Sequence, residues 1–249
     1  MAKGLVVITG ASAGIGKATA LGFARLGHPL ALGARRIEKL AEAADECRKA
    51  GAPEVKVLPL DVRDKKSIDE FAQACGTPEI LVNNAGMARG RDPIDKLVDE
   101  DLVDMIETNV TGLLRVTRAF LPGMIAAKRG HVINMGSYAA HGAYEGGAVY
   151  VPTKHAVRAV SQVMRLELSG TNIRVTEVQP GAVETEFSVV RYRGDESQAK
   201  NFYKGFTPLV AEDIADVILW AATRPAHVNI SEVVLTPTAQ ASLTKVHKT

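Results

Sequence analysis

Residues 4–16 read GLVVITGASAGIG, and the fold of the chain turns on how that stretch is built. Its opening run, GLVVITG (4–10), is apolar or small almost throughout. That is the pattern of a strand covered on both faces, as in a parallel sheet. TGASAGIG (9–16) then places Gly10, Gly14 and Gly16 where strand passes into helix. Glycine allows a tight turn and close backbone approach to a pyrophosphate, held against the positive end of the helix. The spacing departs from G-x-G-x-x-G, and a turn that only packs helix on strand is the competing reading.

The same alternation continues outward. Strands are expected at 30–34 (LALGA), 55–61 (VKVLPLD), 79–86 (EILVNNAG), 130–136 (GHVINMG), 172–181 (NIRVTEVQPG) and 233–235. Helices are expected at 14–26, 37–50, 64–75, 99–120, 149–169 and 211–222, with Asp64 or Ser67 as N-cap of the third. This order implies an α/β, Rossmann-type, doubly wound parallel seven-stranded sheet with helices on both faces. Nothing in composition marks an internal boundary, so residues 1–249 are expected to form a single domain. The irregular segment 182–208 is the one stretch large enough for a lid. Ligands of such folds bind beyond the carboxyl ends of the strands.

The totals narrow the function classes. The chain has 249 residues, 46% hydrophobic and 23% charged, with a formal net charge of +2. That charge gives no field directed at nucleic acid or an anionic membrane. No apolar run approaches the roughly 18–20 residues of a membrane span. The N-terminal run enters a strand directly and lacks a signal-peptide pattern. Cys47 and Cys75 show neither metal spacing nor a disulfide framework. The expectation is a cytoplasmic protein with no metal and no nucleic-acid or membrane partner.

Polar residues at strand ends carry the chemistry. The second strand ends in GARR (33–36). Where an acidic residue would bind a ribose 2′-hydroxyl, the chain has Arg35 and Arg36. Arginine suits a 2′-phosphate, and cations at a helix N-terminus otherwise have little reason to be there. NADP(H) is therefore expected over NAD(H), with two solvated arginines as the alternative.

Three of the five tyrosines lie within SYAAHGAYEGGAVYVPTK (137–154). A phenol, with a reference pKa near 10, needs a neighbouring cation to exchange protons near neutral pH. Helical residues three or four apart share a face. Only Tyr150 has a cation at that distance, Lys154, and Pro152 is acceptable if it lies in the first turn.

TGASAGIG, LDV (60–62), NNAG (83–86), TNV (108–110), INMGS (133–137), YVPTK (150–154) and QPG (179–181) follow one another at strand ends or on adjoining helices. With these motifs the chain resembles the short-chain dehydrogenase/reductase family over nearly its whole length. The resemblance implies an NADP-dependent oxidoreductase in which Tyr150 is the general acid or base. It implies that Lys154 lowers the Tyr150 pKa and binds the nicotinamide ribose. Ser137 then bonds the reacting oxygen, and Asn109 holds a water linking Lys154 to solvent. By the same resemblance Gly10, Gly14, Ile15 and Gly16 cradle the cofactor pyrophosphate, and Ser12 reaches the 2′-phosphate. Asp61 and Val62 meet the adenine, and Asn83, Ala85 and Gly86 line the adenosine side. Pro180, Gly181, Val183 and Thr185 receive the nicotinamide. Ala13 occupies a position where NADP-binding members often carry a basic residue, which leaves the phosphate to Arg35 and Arg36.

TEFSVVRYRGDESQAKNFY (185–203) and TRPAHVNISEVVLTPTAQ (223–240) resemble the branch of NADP-dependent serine, allo-threonine and 3-hydroxy acid dehydrogenases, also known for reducing malonic semialdehyde. The implied substrate is a small hydroxy acid or the matching carbonyl compound. Arg191 and Arg193 are candidates to anchor its carboxylate, Tyr144 to wall the pocket, and Tyr138 is assigned to packing or surface. Reduction of another carbonyl (a sulfo-aldehyde, a diketone or an acyl thioester) and a non-catalytic dinucleotide sensor are the alternatives. A homotetramer is implied through the helices around 99–120 and 149–169.

Overall fold

The computed structural model describes residues 3–249. Seven parallel strands form one sheet in the order β3-β2-β1-β4-β5-β6-β7. They are β1 Val6–Thr9, β2 Leu30–Ala34, β3 Val55–Pro59, β4 Ile80–Asn83, β5 Gly130–Met135, β6 Ile173–Pro180 and β7 Glu232–Leu235. The strand order reverses between β1 and β4, so their carboxyl ends open onto the crevice where ligands of this architecture sit.

β1 shows why the apolar run reads as a covered strand. Val6 and Ile8 enter one core with α1 (Gly14–Arg25), α2 (Ile37–Ala50) and α9 (Ala211–Ala222). Val7 enters the other core with α3 (Lys65–Cys75), α5 (Leu113–Ala126) and α6 (Tyr150–Glu167). The pleat sends successive side chains to opposite faces, so both must be apolar. Asp64 caps α3, accepting from Lys66 N at 2.9 Å, while Ser67 instead accepts from Asp61 N at 3.0 Å. Phe71 packs edge-on against Phe120, centroids 5.9 Å apart, and reaches the strand because Gly33 has no side chain there; a Cβ would stand 2.7 Å from Phe71 Cε2.

Two expected elements differ. The helix over 99–120 is α4 (Asp99–Ile106), a π-helical turn at Glu107–Gly112, and α5 running on to Ala126. The irregular 182–208 segment contains α7 (Glu186–Arg191) and α8 (Glu196–Tyr203). Their N-termini are capped by Thr185, which accepts from Phe187 N at 3.3 Å, and by Asp195, which accepts from Gln198 N at 2.9 Å. No helix among the described residues is long and apolar enough to cross a membrane.

Phe71 is 2% exposed. Phe71→Ala is expected to lower the unfolding free energy in urea by about 3–5 kcal/mol, and a loss under about 1 kcal/mol would contradict this packing.

Candidate active site

The carboxyl ends of the strands border a cleft of about 850 Å³. Gly10 (φ +68°) turns the chain out of β1, and a Cβ there would stand 2.9 Å from Ala85 Cα. Gly14 (φ +54°) opens α1 and faces Thr185 across the cleft, 3.5 Å from the position of a Cβ. α1 has no side-chain cap at Ala13 and no acidic residue in its first turn. Its leading N–H groups therefore face the cleft uncapped, as an incoming pyrophosphate requires. A dinucleotide fits this donor set. Ser12, Ile15, Asp61, Val62, Ala85 and Gly86 also line the cleft. So do Pro180, Gly181 and Val183.

Two expected members stand elsewhere. Asn83 is 3% exposed, and its Nδ2 donates to Thr117 Oγ1 at 2.8 Å and Asn134 Oδ1 at 2.9 Å, inside the core. Asn84, one pleat on, borders the cleft instead and ties the turns together by donating to Thr9 O and Gly10 O at 2.9 and 3.1 Å. Gly16 is buried behind the loop, where any Cβ would collide with Gly10 O. Asp61 is held by Arg63 at 2.8 Å, whose hydrogen bond keeps its carboxyl below the usual range.

Tyr150 is the first residue of α6, and Pro152 falls in the first turn, where its missing N–H costs nothing. Lys154 follows one turn later, with Nζ 5.7 Å from the Tyr150 ring centroid. Lys154 is buried and donates to Met135 O at 2.8 Å. Burial lowers its pKa to about 8, while the charge of buried Glu177 works the other way. The Tyr150 pKa is not lowered in this structure. Burial dominates and pushes it up to about 12, against smaller opposing effects from the Ser137 hydroxyl and the Arg191 charge. Tyr150 thus holds its proton at neutral pH. Ser137 ends the β5 turn and caps a short 3-10 turn (Tyr138–His141), accepting from Ala139 N at 3.1 Å.

Asn109 lies in the π-helical turn. Its Oδ1 accepts from Met87 N and its Nδ2 donates to Met87 O, both at 2.8 Å, and Nδ2 also reaches Thr153 Oγ1 at 3.1 Å. The side chain pins the Met87 loop to α6 and does not itself line the cleft.

Arg191 and Arg193, two residues apart, have different surroundings. Arg193 Nη2 contacts Asp92 at 2.6 Å and Asp101 at 2.8 Å, which commits it to an ion-pair cluster. Arg191 Nη2 donates to Tyr144 Oη at 2.9 Å, and its Cζ lies 5.5 Å from the Tyr150 ring centroid. Its Nε is buried with no hydrogen-bond partner among the described residues. Tyr144 is therefore a cleft wall with a polar contact, and Tyr138 also borders the cleft besides packing near His141. No sequence motif marks Glu186, which borders the cleft and pairs with Lys39, or the tail residues Gln240 and Leu243, which help close it. Gln240 Oε1 accepts from Ala182 N at 2.9 Å.

The short chain dehydrogenase family model matches residues 4–195. The chain is 42% identical over 242 residues to an Escherichia coli NADP-dependent 3-hydroxy acid dehydrogenase, covering 95% of this chain and 96% of that protein. It is 43% identical over 245 residues to sulfoacetaldehyde reductase 2 of Chromohalobacter salexigens, covering 95% of each. Among solved structures, the closed form of a serine dehydrogenase complexed with NADP⁺ superposes with a TM-score of 0.92 at 40% identity, covering 98% of this chain and 100% of that one. The chain belongs to the short chain dehydrogenase family and is an oxidoreductase.

Burial of Lys154 leaves a signature in stability. Its folded pKa, about 8, lies below the usual 10.5, so between these values the unfolded chain binds the extra proton. Stability from this group rises with pH across that window and its penalty is complete below about 8. Relative to Lys154→Met, the parent is expected to gain up to about 3 kcal/mol as pH rises from 8 to 10.5. A stability difference independent of pH would contradict a desolvated ammonium.

Proposed function

We propose that the chain is an NADP-dependent oxidoreductase that interconverts a 3-hydroxyl and a carbonyl in a small carboxylate. Serine, allo-threonine and the 3-hydroxypropionate/malonic semialdehyde pair are the substrate class. The observation that carries the substrate class is Arg191. It is a half-buried lid cation beside the proton-holding Tyr150, with a buried Nε that has no hydrogen-bond partner among the described residues. A guanidinium presents parallel donors that match a carboxylate. The cofactor reading is supported by the uncapped α1 and by the basic group at the end of β2, and by likeness to NADP-dependent proteins.

When bound, the nicotinamide supplies or accepts the hydride. The remaining work falls to the chain. Ser137 and Tyr150 bond the substrate oxygen, and Tyr150 gives its phenolic proton to that oxygen in reduction or takes it in oxidation. Lys154, cationic at neutral pH, favours the phenolate left behind and holds ribose hydroxyls. Asn109 fixes the loop and helix around Lys154, and a water in its π-helical turn connects Lys154 to solvent. Arg191, braced by Tyr144, fixes the acid group so that the reacting carbon faces the cofactor. Residues 182–208 act as the lid of one domain spanning the chain.

A sulfonated aldehyde is the second reading, favoured because the same guanidinium fits a sulfonate and a relative of that name is 43% identical. The location is read as cytoplasmic, in keeping with buried, unpaired Cys47 and Cys75. A homotetramer is supported by apolar residues left exposed on the helices concerned, Val103 and Leu114 on α4 and α5, Val163 and Leu166 on α6.

A panel following NADPH absorbance tests the function. Turnover of malonic semialdehyde, or of L-serine with NADP⁺, is expected; turnover of bulky ketones alone would overturn it. Activity on sulfoacetaldehyde alone would transfer the assignment to the second reading. Arg191→Ala is expected to raise KM for the acid substrate by about 10–100-fold with the NADPH Kd unchanged.

A further inference from the structure

If the cofactor carries a 2′-phosphate, as the proposed function holds, the donors at the end of β2 form an oxyanion site. In this structure an oxyanion already occupies it. Glu186, the first residue of α7 in the lid, accepts from Arg36 Nη1 at 2.7 Å and from Lys39 Nζ at 2.8 Å. The second arm of Arg36 donates to Ser12 Oγ at 3.2 Å. Turn, helix and lid thus converge on one carboxylate. The two cations hold the Glu186 carboxyl below its usual range, Lys39 contributing most. Lys39 lies in the first turn of α2, three residues past Arg36, which is the N-cap of that helix.

We propose that Glu186 is a cofactor-selecting residue that competes with the 2′-phosphate for Arg36 and Lys39, and that Lys39 is a third cation of that phosphate site beside Arg35 and Arg36. The physical basis is charge. A phosphate monoester carries about −1.5 to −2 near neutral pH and three acceptor oxygens, against one negative charge on the carboxylate. It outcompetes Glu186 and releases the start of α7 from α2. A 2′-hydroxyl has no charge and leaves the carboxylate in place. Glu186 therefore weakens every cofactor with a 2′-phosphate while leaving those without one untouched.

Binding, not turnover, tests this. With Glu186→Gln, the Kd of adenosine 2′,5′-bisphosphate by calorimetry and of NADPH by fluorescence is expected to fall by about fivefold at low salt. NADH and 5′-AMP are expected to bind as they do to the parent. In the same background, Lys39→Ala is expected to weaken adenosine 2′,5′-bisphosphate several-fold. Unchanged or weaker bisphosphate binding by Glu186→Gln, or an equal change for NADH, overturns the competition. An unchanged bisphosphate Kd on adding Lys39→Ala removes Lys39 from the site. A parent chain that binds NADH as tightly as NADPH overturns the cofactor reading itself, and this inference with it.

Discussion

The ammonium group of Lys154 is held out of water, 6% exposed, against the Met135 carbonyl at 2.8 Å. A buried cation is costly unless its surroundings supply charge and hydrogen bonds, so much of the site is arranged around that requirement. β5 ends where its last carbonyl can receive the amine. α6 begins at Tyr150, one turn before Lys154, so the phenol is fixed by the same helix. Burial lowers the Lys154 pKa, and Glu177, fully buried on the neighbouring strand, places a carboxyl close enough to offset part of that lowering. Asn109 clamps the Met87 loop to Thr153, adjacent to Lys154 in sequence. Displacing any of these would expose the amine or misplace the phenol.

The rim of the cleft is organised by how arginines are partnered. Arg193 is spent on Asp92 and Asp101, and Arg36 is engaged by Glu186. Arg191 meets no carboxylate among the described residues and instead leans on the Tyr144 and Tyr150 rings, 5.3 and 5.5 Å from their centroids. A guanidinium so placed keeps donors in reserve for an acid group, while its charge stands close to where a phenolate would form. In the proposed function, substrate anchoring and proton transfer share this one cation.

Much of this was legible in the sequence, for reasons tied to periodicity. β1 and β2 are covered on both faces and read as apolar runs. Tyr150 and Lys154 could be paired because helical spacing is local information. The rest depends on contacts between distant segments. Gly112 in ETNVTG weakens an α-helix, but nothing in the segment marks residues 107–112 as a π-helical turn, where Asn109 reaches Met87. The two asparagines of NNAG look alike, and only the pleat sends Asn83 inward to Thr117 and Asn84 to the cleft. Arg191 and Arg193 differ because acidic partners about ninety to a hundred positions away lie beside only one of them. α7 and α8 carry capping residues, but six and eight residues are too few for periodicity to show.

The proposed chemistry depends on Tyr150 as the proton donor. Its most direct test is a single-turnover experiment on Tyr150→Phe, with NADPH binding measured in parallel. An NADPH Kd close to the parent's and a reduction rate lower by about 10²–10⁴-fold are expected. A rate within a few-fold of the parent's would contradict it.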